Sequence, residues 1–167
     1  LFGIRDLTQI HIFDHNNPPP VSLEGMPCIH TAPSLRKVGD KWEKICVGTT
    51  TSTRMDRFTP GLIGQYGVRA IIGKGGLYQG SLDAMQKYGA VYLAIVGGAA
   101  ALETEQIEEV EAVYFEELHP EALYRFRVKN FGPLTVAMDS HGVHLYDQVT
   151  ENVKKKLPEI YAKLGVL

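Results

Sequence analysis

Val68-Arg69-Ala70-Ile71-Ile72-Gly73-Lys74-Gly75-Gly76, followed by Ala90-Val91-Tyr92-Leu93-Ala94-Ile95-Val96-Gly97-Gly98, decides the fold. Each stretch is an apolar run of strand length that stops at glycine. Each then gives way to a helix-like stretch, from about Ser81 to Tyr88 after the first and from about Ala99 after the second. A third unit precedes them, with Ile45-Cys46-Val47 leading into Gly48-Thr49-Thr50-Thr51-Ser52 and a helix from about Thr53. Strands alternating with helices of roughly 10–15 residues predict an α/β domain with parallel strands. The all-apolar residues 90–96 suit a central strand covered on both faces.

Outward from this centre the signals weaken. Residues 26–31 and 41–48 read as strands, the second buried more deeply at its end, and Val113-Tyr114-Phe115 and residues 134–138 are further candidates. Most of the first 40 residues read as irregular, with a surface loop at His15-Asn16-Asn17-Pro18-Pro19-Pro20, because proline lacks an amide donor. Gly67 and Gly89 sit where helix C-caps are expected. Glu103, Glu105, Glu108, Glu109 and Glu111 read as the solvated face of a helix. Val149, Val153, Leu157, Ile160, Tyr161 and Leu164 share one helical face, and Pro158 predicts a kink or two short helices there.

Composition narrows the function classes. The 167 residues are 44% hydrophobic and 22% charged with a net charge of -2, the balance of one globular domain spanning residues 1–167. The charge gives no basic excess for nucleic acid. The longest fully apolar run, residues 90–96, falls far short of the ~18 residues of a membrane span. The opening Leu1-Phe2-Gly3-Ile4-Arg5-Asp6 lacks a charged leader, and Cys28 and Cys46 read as reduced, buried thiols, which together predict a cytoplasmic protein.

In open α/β sheets ligands bind beyond the carboxyl ends of the strands. Three such ends carry Thr/Ser or Gly clusters here. Thr49-Thr50-Thr51-Ser52-Thr53-Arg54-Met55-Asp56 offers hydroxyls and free amides to an anion. A cation in a first helical turn opposes the helix dipole by about 0.3–1 kcal/mol, and a bound anion reverses that sign. The alternative is an ordinary N-cap, with Arg54 in solvent or paired with Asp56. Gly73-Lys74-Gly75-Gly76 offers backbone close approach and a point charge. It is not a phosphate-binding Walker loop, since Val68 and Gly75 stand where that loop needs Gly and Ser/Thr. Gly97-Gly98 reads either as amides for a ligand or as close packing. His141 and His144 have the spacing of a metal pair but no third ligand, and no metal site is predicted. His30 lies near the Thr cluster.

The ordered triple residues 48–56, 72–76 and 96–100 resembles the β subunit of class I iron–sulfur fumarate hydratases, the carboxyl-terminal domain of their single-chain versions, and the β subunit of L(+)-tartrate dehydratase. Thr49 stands where that family usually has Pro, Ala32-Pro33 where it has Gly-Pro, and Ile4-Arg5-Asp6 where it has Ala-Arg-Asp. The resemblance implies a three-layer β/β/α swivelling domain with a partly parallel sheet. It implies a hydro-lyase interconverting fumarate and (S)-malate, with tartrate as the alternative substrate. It further implies a 4Fe–4S cluster bound by a partner α subunit and not by this chain, in an αβ heterotetramer. By the same resemblance Thr50 is the catalytic base, and Thr51, Arg54, Lys74 and Arg5 bind the dicarboxylate. A threonine hydroxyl is a poor base without a neighbouring carboxylate in a dry site, and the sequence reveals no such carboxylate. A non-catalytic carboxylate-binding module and a nucleotide site at residues 73–76 are the readings from other function classes.

Overall fold

The computed structural model describes residues 1–166. It builds a seven-stranded sheet in the spatial order Ile107–Tyr114, Leu123–Val128, Phe2–Ile4, Pro27–His30, Ala70–Gly73, Val91–Ala94, Thr135–Met138. The central strands β1 (Phe2–Ile4), β2 (Pro27–His30), β5 (Ala70–Gly73) and β6 (Val91–Ala94) run parallel. The outer strands β7 (Ile107–Tyr114), β8 (Leu123–Val128) and β9 (Thr135–Met138) are antiparallel to their neighbours. A separate hairpin joins β3 (Ser34–Val38) to β4 (Lys41–Cys46).

Successive residues of a strand point to opposite faces, so β2 and β5 divide their side chains between two cores. Cys28 and Ile71 pack with Tyr92 in one, and Ile29 and Ile72 with Val47, Tyr124 and Phe126 in the other. The first core is covered by α1 (Asp6–Phe13), α2 (Thr59–Gly64) and α3 (Gln79–Tyr88), through Ile12, Leu62, Ile63, Leu82 and Met85. The second is covered by the hairpin, through Leu35, and by the segment carrying Val47; α4 (Ala100–Glu105) packs beside β4. Hairpin, sheet and helices make the β/β/α layering that the resemblance implies. No helix among the described residues is long and apolar enough to cross a membrane.

Several local expectations change. The strand before the Thr cluster, β4, belongs to the hairpin and not to the parallel sheet. Its end is open to solvent rather than buried: Ile45 is 60% exposed, and Cys46 is an exposed thiol, while Cys28 is buried as expected. β1 and α1 occupy residues read as irregular. The glutamate-rich stretch is helical only to Glu105 and then becomes β7, where Arg127 pairs with Glu108 and Glu109 and Arg125 with Glu111 across the antiparallel ladder. Gly89 is the left-handed cap of α3, whereas α2 ends three residues before Gly67. The C-terminal helix α5 (Leu145–Leu164) runs through Pro158 as one element and buries none of its residues.

Candidate functional site

The Thr loop, residues 47–53, crosses the carboxyl ends of the parallel strands. It starts in the hairpin layer, where Val47 is held by Thr104 of α4, and ends in the helical layer, where a 3-10 turn (Thr53–Phe58) leads into α2. Over β2 it is pinned by the Thr50 amide, which donates to the His30 carbonyl at 2.7 Å, and by a bridge between Thr31 and Thr49. It is then zipped to the Gly-Lys loop. Thr51 pairs with Lys74, the Ser52 amide donates to the Lys74 carbonyl at 2.8 Å, and the Thr53 hydroxyl donates to the Gly75 carbonyl at 3.0 Å. The two clusters singled out in the sequence are therefore one surface.

Below the loop lies a buried polar network absent from the sequence reading. Ser52 Oγ lies 2.9 Å from His30 Nδ1 and accepts from the Tyr92 hydroxyl at 3.0 Å. The other ring nitrogen, His30 Nε2, is buried with no hydrogen-bond partner among the described residues. Burial pushes the His30 pKa down to about 3, so the ring stays neutral at physiological pH. Gly73 is required here: a Cβ would collide with Ser52 Oγ. At Gly76, with φ +75°, a Cβ would stand 2.8 Å from the Tyr146 ring at the start of α5.

The cations gather at the same end. Arg5, which precedes α1, lies 3.4 Å from Asp6 and 3.5 Å from Glu121. Arg54 reaches the same Asp6 carboxylate at 3.7 Å and is half exposed, so Asp6 rather than Asp56 is its partner. Asp56 instead accepts from the Tyr78 amide and the Ser81 hydroxyl, both at 2.7 Å. Lys74 makes no ion pair among the described residues; its side chain runs beside Gly97. A Cβ at Gly97 would stand 3.4 Å from Lys74 Cδ, an ordinary contact, so crowding does not require glycine there. Thr50 Oγ1 is buried without a hydrogen-bond partner among the described residues, and Thr51 is exposed.

Glu103, expected on a solvated face, is 1% exposed, and neither carboxyl oxygen has a hydrogen-bond partner among the described residues. Ala100 packs under Gly48, and Glu103 and Thr104 lie three and four residues on, on the same helical face. His144 is a cap and not half of a metal pair: its Nδ1 accepts from the Asp147 amide at 3.2 Å and its Nε2 lies 3.1 Å from the Leu77 carbonyl. A groove of about 830 Å³ between the hairpin and β7, and one of about 560 Å³ beside residues 19–24, include none of Arg5, Thr50, Thr51, Arg54 or Lys74. The surface at the loop tips is an open wall of donors, suited to an anion held from one side.

Comparison with known proteins adds an independent line. A family model described as Fumarase C-terminus matches residues 4–149. The L(+)-tartrate dehydratase subunit beta of Escherichia coli is 41% identical over 155 residues, covering 92% of this chain and 76% of that protein. A putative L(+)-tartrate dehydratase subunit beta of Methanocaldococcus jannaschii is 41% identical over 165 residues, 96% of this chain and 85% of its own. A putative fumarate hydratase class I of Geobacillus stearothermophilus is 37% identical over 157 residues, 93% of this chain and 30% of that longer protein.

Proposed function

This chain belongs to the Fumarase C-terminus family, and on that premise we propose that it is the β-type subunit of a hydro-lyase acting on a four-carbon dicarboxylate. The observation that carries the reading is the unpartnered Thr50 hydroxyl on a loop zipped to Lys74, at the end of the sheet where Arg5 and Arg54 share Asp6. Fumarate and (S)-malate are the substrate pair we assign. L(+)-tartrate is the second reading, favoured by the names of the 41%-identical relatives.

In this reading the ligand carboxylates meet Arg54, Lys74, Arg5 and the Thr51 hydroxyl. Arg54 holds Asp6 only at 3.7 Å and keeps donors for a bidentate carboxylate pair, which fixes orientation as well as charge. Removing a proton beside a carboxylate builds negative charge on that carboxylate, and preorganised cations lower the barrier. The Thr50 hydroxyl is the proton-handling group offered by this chain.

The 4Fe–4S cluster of the iron–sulfur reading belongs in this proposal to a separate α subunit. Among the described residues no group of three or more His, Cys, Asp or Glu could hold a metal, and Cys28 lies in the core while Cys46 is exposed. This chain's own described residues do not fit the cluster.

The test is to purify the chain with whatever copurifies, under anaerobic conditions, and to assay water elimination from (S)-malate and from L(+)-tartrate. A partner and turnover of (S)-malate are expected. Preference for tartrate replaces the substrate assignment. A chain that purifies alone and binds dicarboxylates without turnover points to a non-catalytic binding module.

A further inference from the structure

β8 runs antiparallel to β1, with Gly3 opposite Tyr124, so the residues just after β1 come level with those just before β8. Glu121 uses that juxtaposition three times. Its Oε2 accepts from the Leu7 amide at 2.8 Å, its backbone carbonyl accepts from the Thr8 hydroxyl, and its Oε1 lies 3.5 Å from Arg5 Nη1. The turn that carries Glu121 is closed by its own amide, which donates to the Leu118 carbonyl at 2.7 Å. Arg5 stands at the N-cap position of α1 and has no acceptor in its side chain, so Glu121 caps the helix from another segment. A cap needs only one carboxylate oxygen, and the second faces Arg5. The Arg5 and Glu121 side chains are 22% and 18% exposed, so salt and water screen the pair only in part. The constraint continues through Asp6, whose Oδ2 lies 3.4 Å from Arg5 Nε and 3.7 Å from Arg54 Nη2.

We infer that Glu121 is a positioning residue: its carboxylate fixes the Arg5 guanidinium at the head of α1, and Asp6 carries that placement to Arg54, so that the two arginines keep the separation a dicarboxylate requires. A free arginine side chain is flexible, and holding it before the ligand arrives removes an ordering cost from binding. Both Glu121 oxygens are engaged within the chain, so it acts through Arg5 and is assigned no contact with the ligand. The inference rests on the site reading above, and its test separates the two.

The first arm needs no substrate. Rotation of the Arg5 guanidinium about its Cζ–Nε bond is measured by nitrogen NMR in the full chain, with the signal assigned through Arg5→Lys. Glu121→Gln keeps an acceptor for the Leu7 amide and removes the charge that holds Arg5, so rotation quickens roughly threefold. An unchanged rate overturns the hold. The second arm uses the assembled, copurified protein. Glu121→Gln raises KM about fivefold while kcat stays within about twofold, as loosening a group that binds substrate and transition state alike requires. In an Arg5→Ala background the same change adds little, because Glu121 acts through Arg5. Thr8→Val cuts another link between the two segments and leaves the carboxylate in place; it lowers the thermal midpoint while KM stays within about twofold. Unchanged KM in Glu121→Gln, an equal loss with and without Arg5, or an equal rise in KM with Thr8→Val overturns the role. Assembled protein with no hydro-lyase activity refutes the proposed function, while the NMR arm still decides whether Glu121 holds Arg5.

Discussion

Gly73→Ala tests the network beneath the Thr loop without any substrate. The added methyl falls on the position of Ser52 Oγ and lies 3.3 Å from the Tyr92 hydroxyl. Overpacking of this kind costs about 1–3 kcal/mol. Moving Ser52 aside also strands the Tyr92 hydroxyl and His30 Nδ1, and a buried polar group left unpaired costs about 1–3 kcal/mol. A total of at least about 3 kcal/mol lowers the thermal midpoint of a chain this size by roughly 6 °C or more. Ser52→Ala alone removes the same two hydrogen bonds and costs about 2–4 kcal/mol. If the sites were independent, the double variant would lose about 6 kcal/mol. Deleting the Ser52 hydroxyl vacates the space that the methyl added at position 73 needs, however, and the nearest remaining Ser52 atom, Cβ, stands 3.3 Å away. The double variant is therefore expected to cost only a little more than Ser52→Ala, an interaction of about 2 kcal/mol or more. Urea unfolding of the wild type and the three variants, followed by circular dichroism, measures it. Additive losses refute the account.

Arg54→Ala should weaken substrate use in the assembled protein by roughly 2–5 kcal/mol in kcat/KM if it loses a desolvated charge pair, and normal kinetics would contradict its role. Thr50→Val deletes a buried hydroxyl with no partner; stability should hold or rise while kcat falls, and unchanged turnover would remove Thr50 as the base. His30 is neutral in the fold down to about pH 3 but takes a proton in the unfolded chain below about pH 6.5. Its contribution is complete above pH 6.5 and is lost as pH falls toward 3, at up to about 1.4 kcal/mol per pH unit. His30→Asn should flatten that part of the stability profile, measured by urea midpoints across the window, and an identical slope counts against the burial argument. Cys46 should react with a thiol reagent in the native chain and Cys28 only on unfolding, as its burial and a pKa pushed up to about 12 require. Equal labelling rates would show the exposure to be wrong.

The carboxyl ends of β5 and β6 were legible because their apolar runs stop at glycine, and that local pattern survives in the fold. The Thr and Gly-Lys clusters were legible as separate anion-binding candidates, but their zipping depends on strand order, which no local window contains. The residues of β7 read as helix because glutamate is a good helix former. Arg125 and Arg127, which make them a strand, lie on a different segment and become neighbours only through pairing. β4 looked like the feeder of the Thr loop because it precedes it directly; the chain instead leaves the sheet for the hairpin and returns. β1 is three residues long, too short for any period to register. Glu103 was hidden by its exposed neighbours Ala101, Leu102 and Glu105, and only the space beneath Gly48 and Thr49 distinguishes it.

The sheet's two margins differ in chemistry yet lead to the same result. β7 is eight residues long, and its charged Arg–Glu rungs make it a poor template for another chain's backbone. β9 has four residues, with Val136 outward at 55% exposure, and is too brief to guide a foreign strand into register. Growth by strand addition is therefore disfavoured at both margins. At this sheet, a joining polypeptide is better met by side chains, at the loop tips or on a layer's outer face.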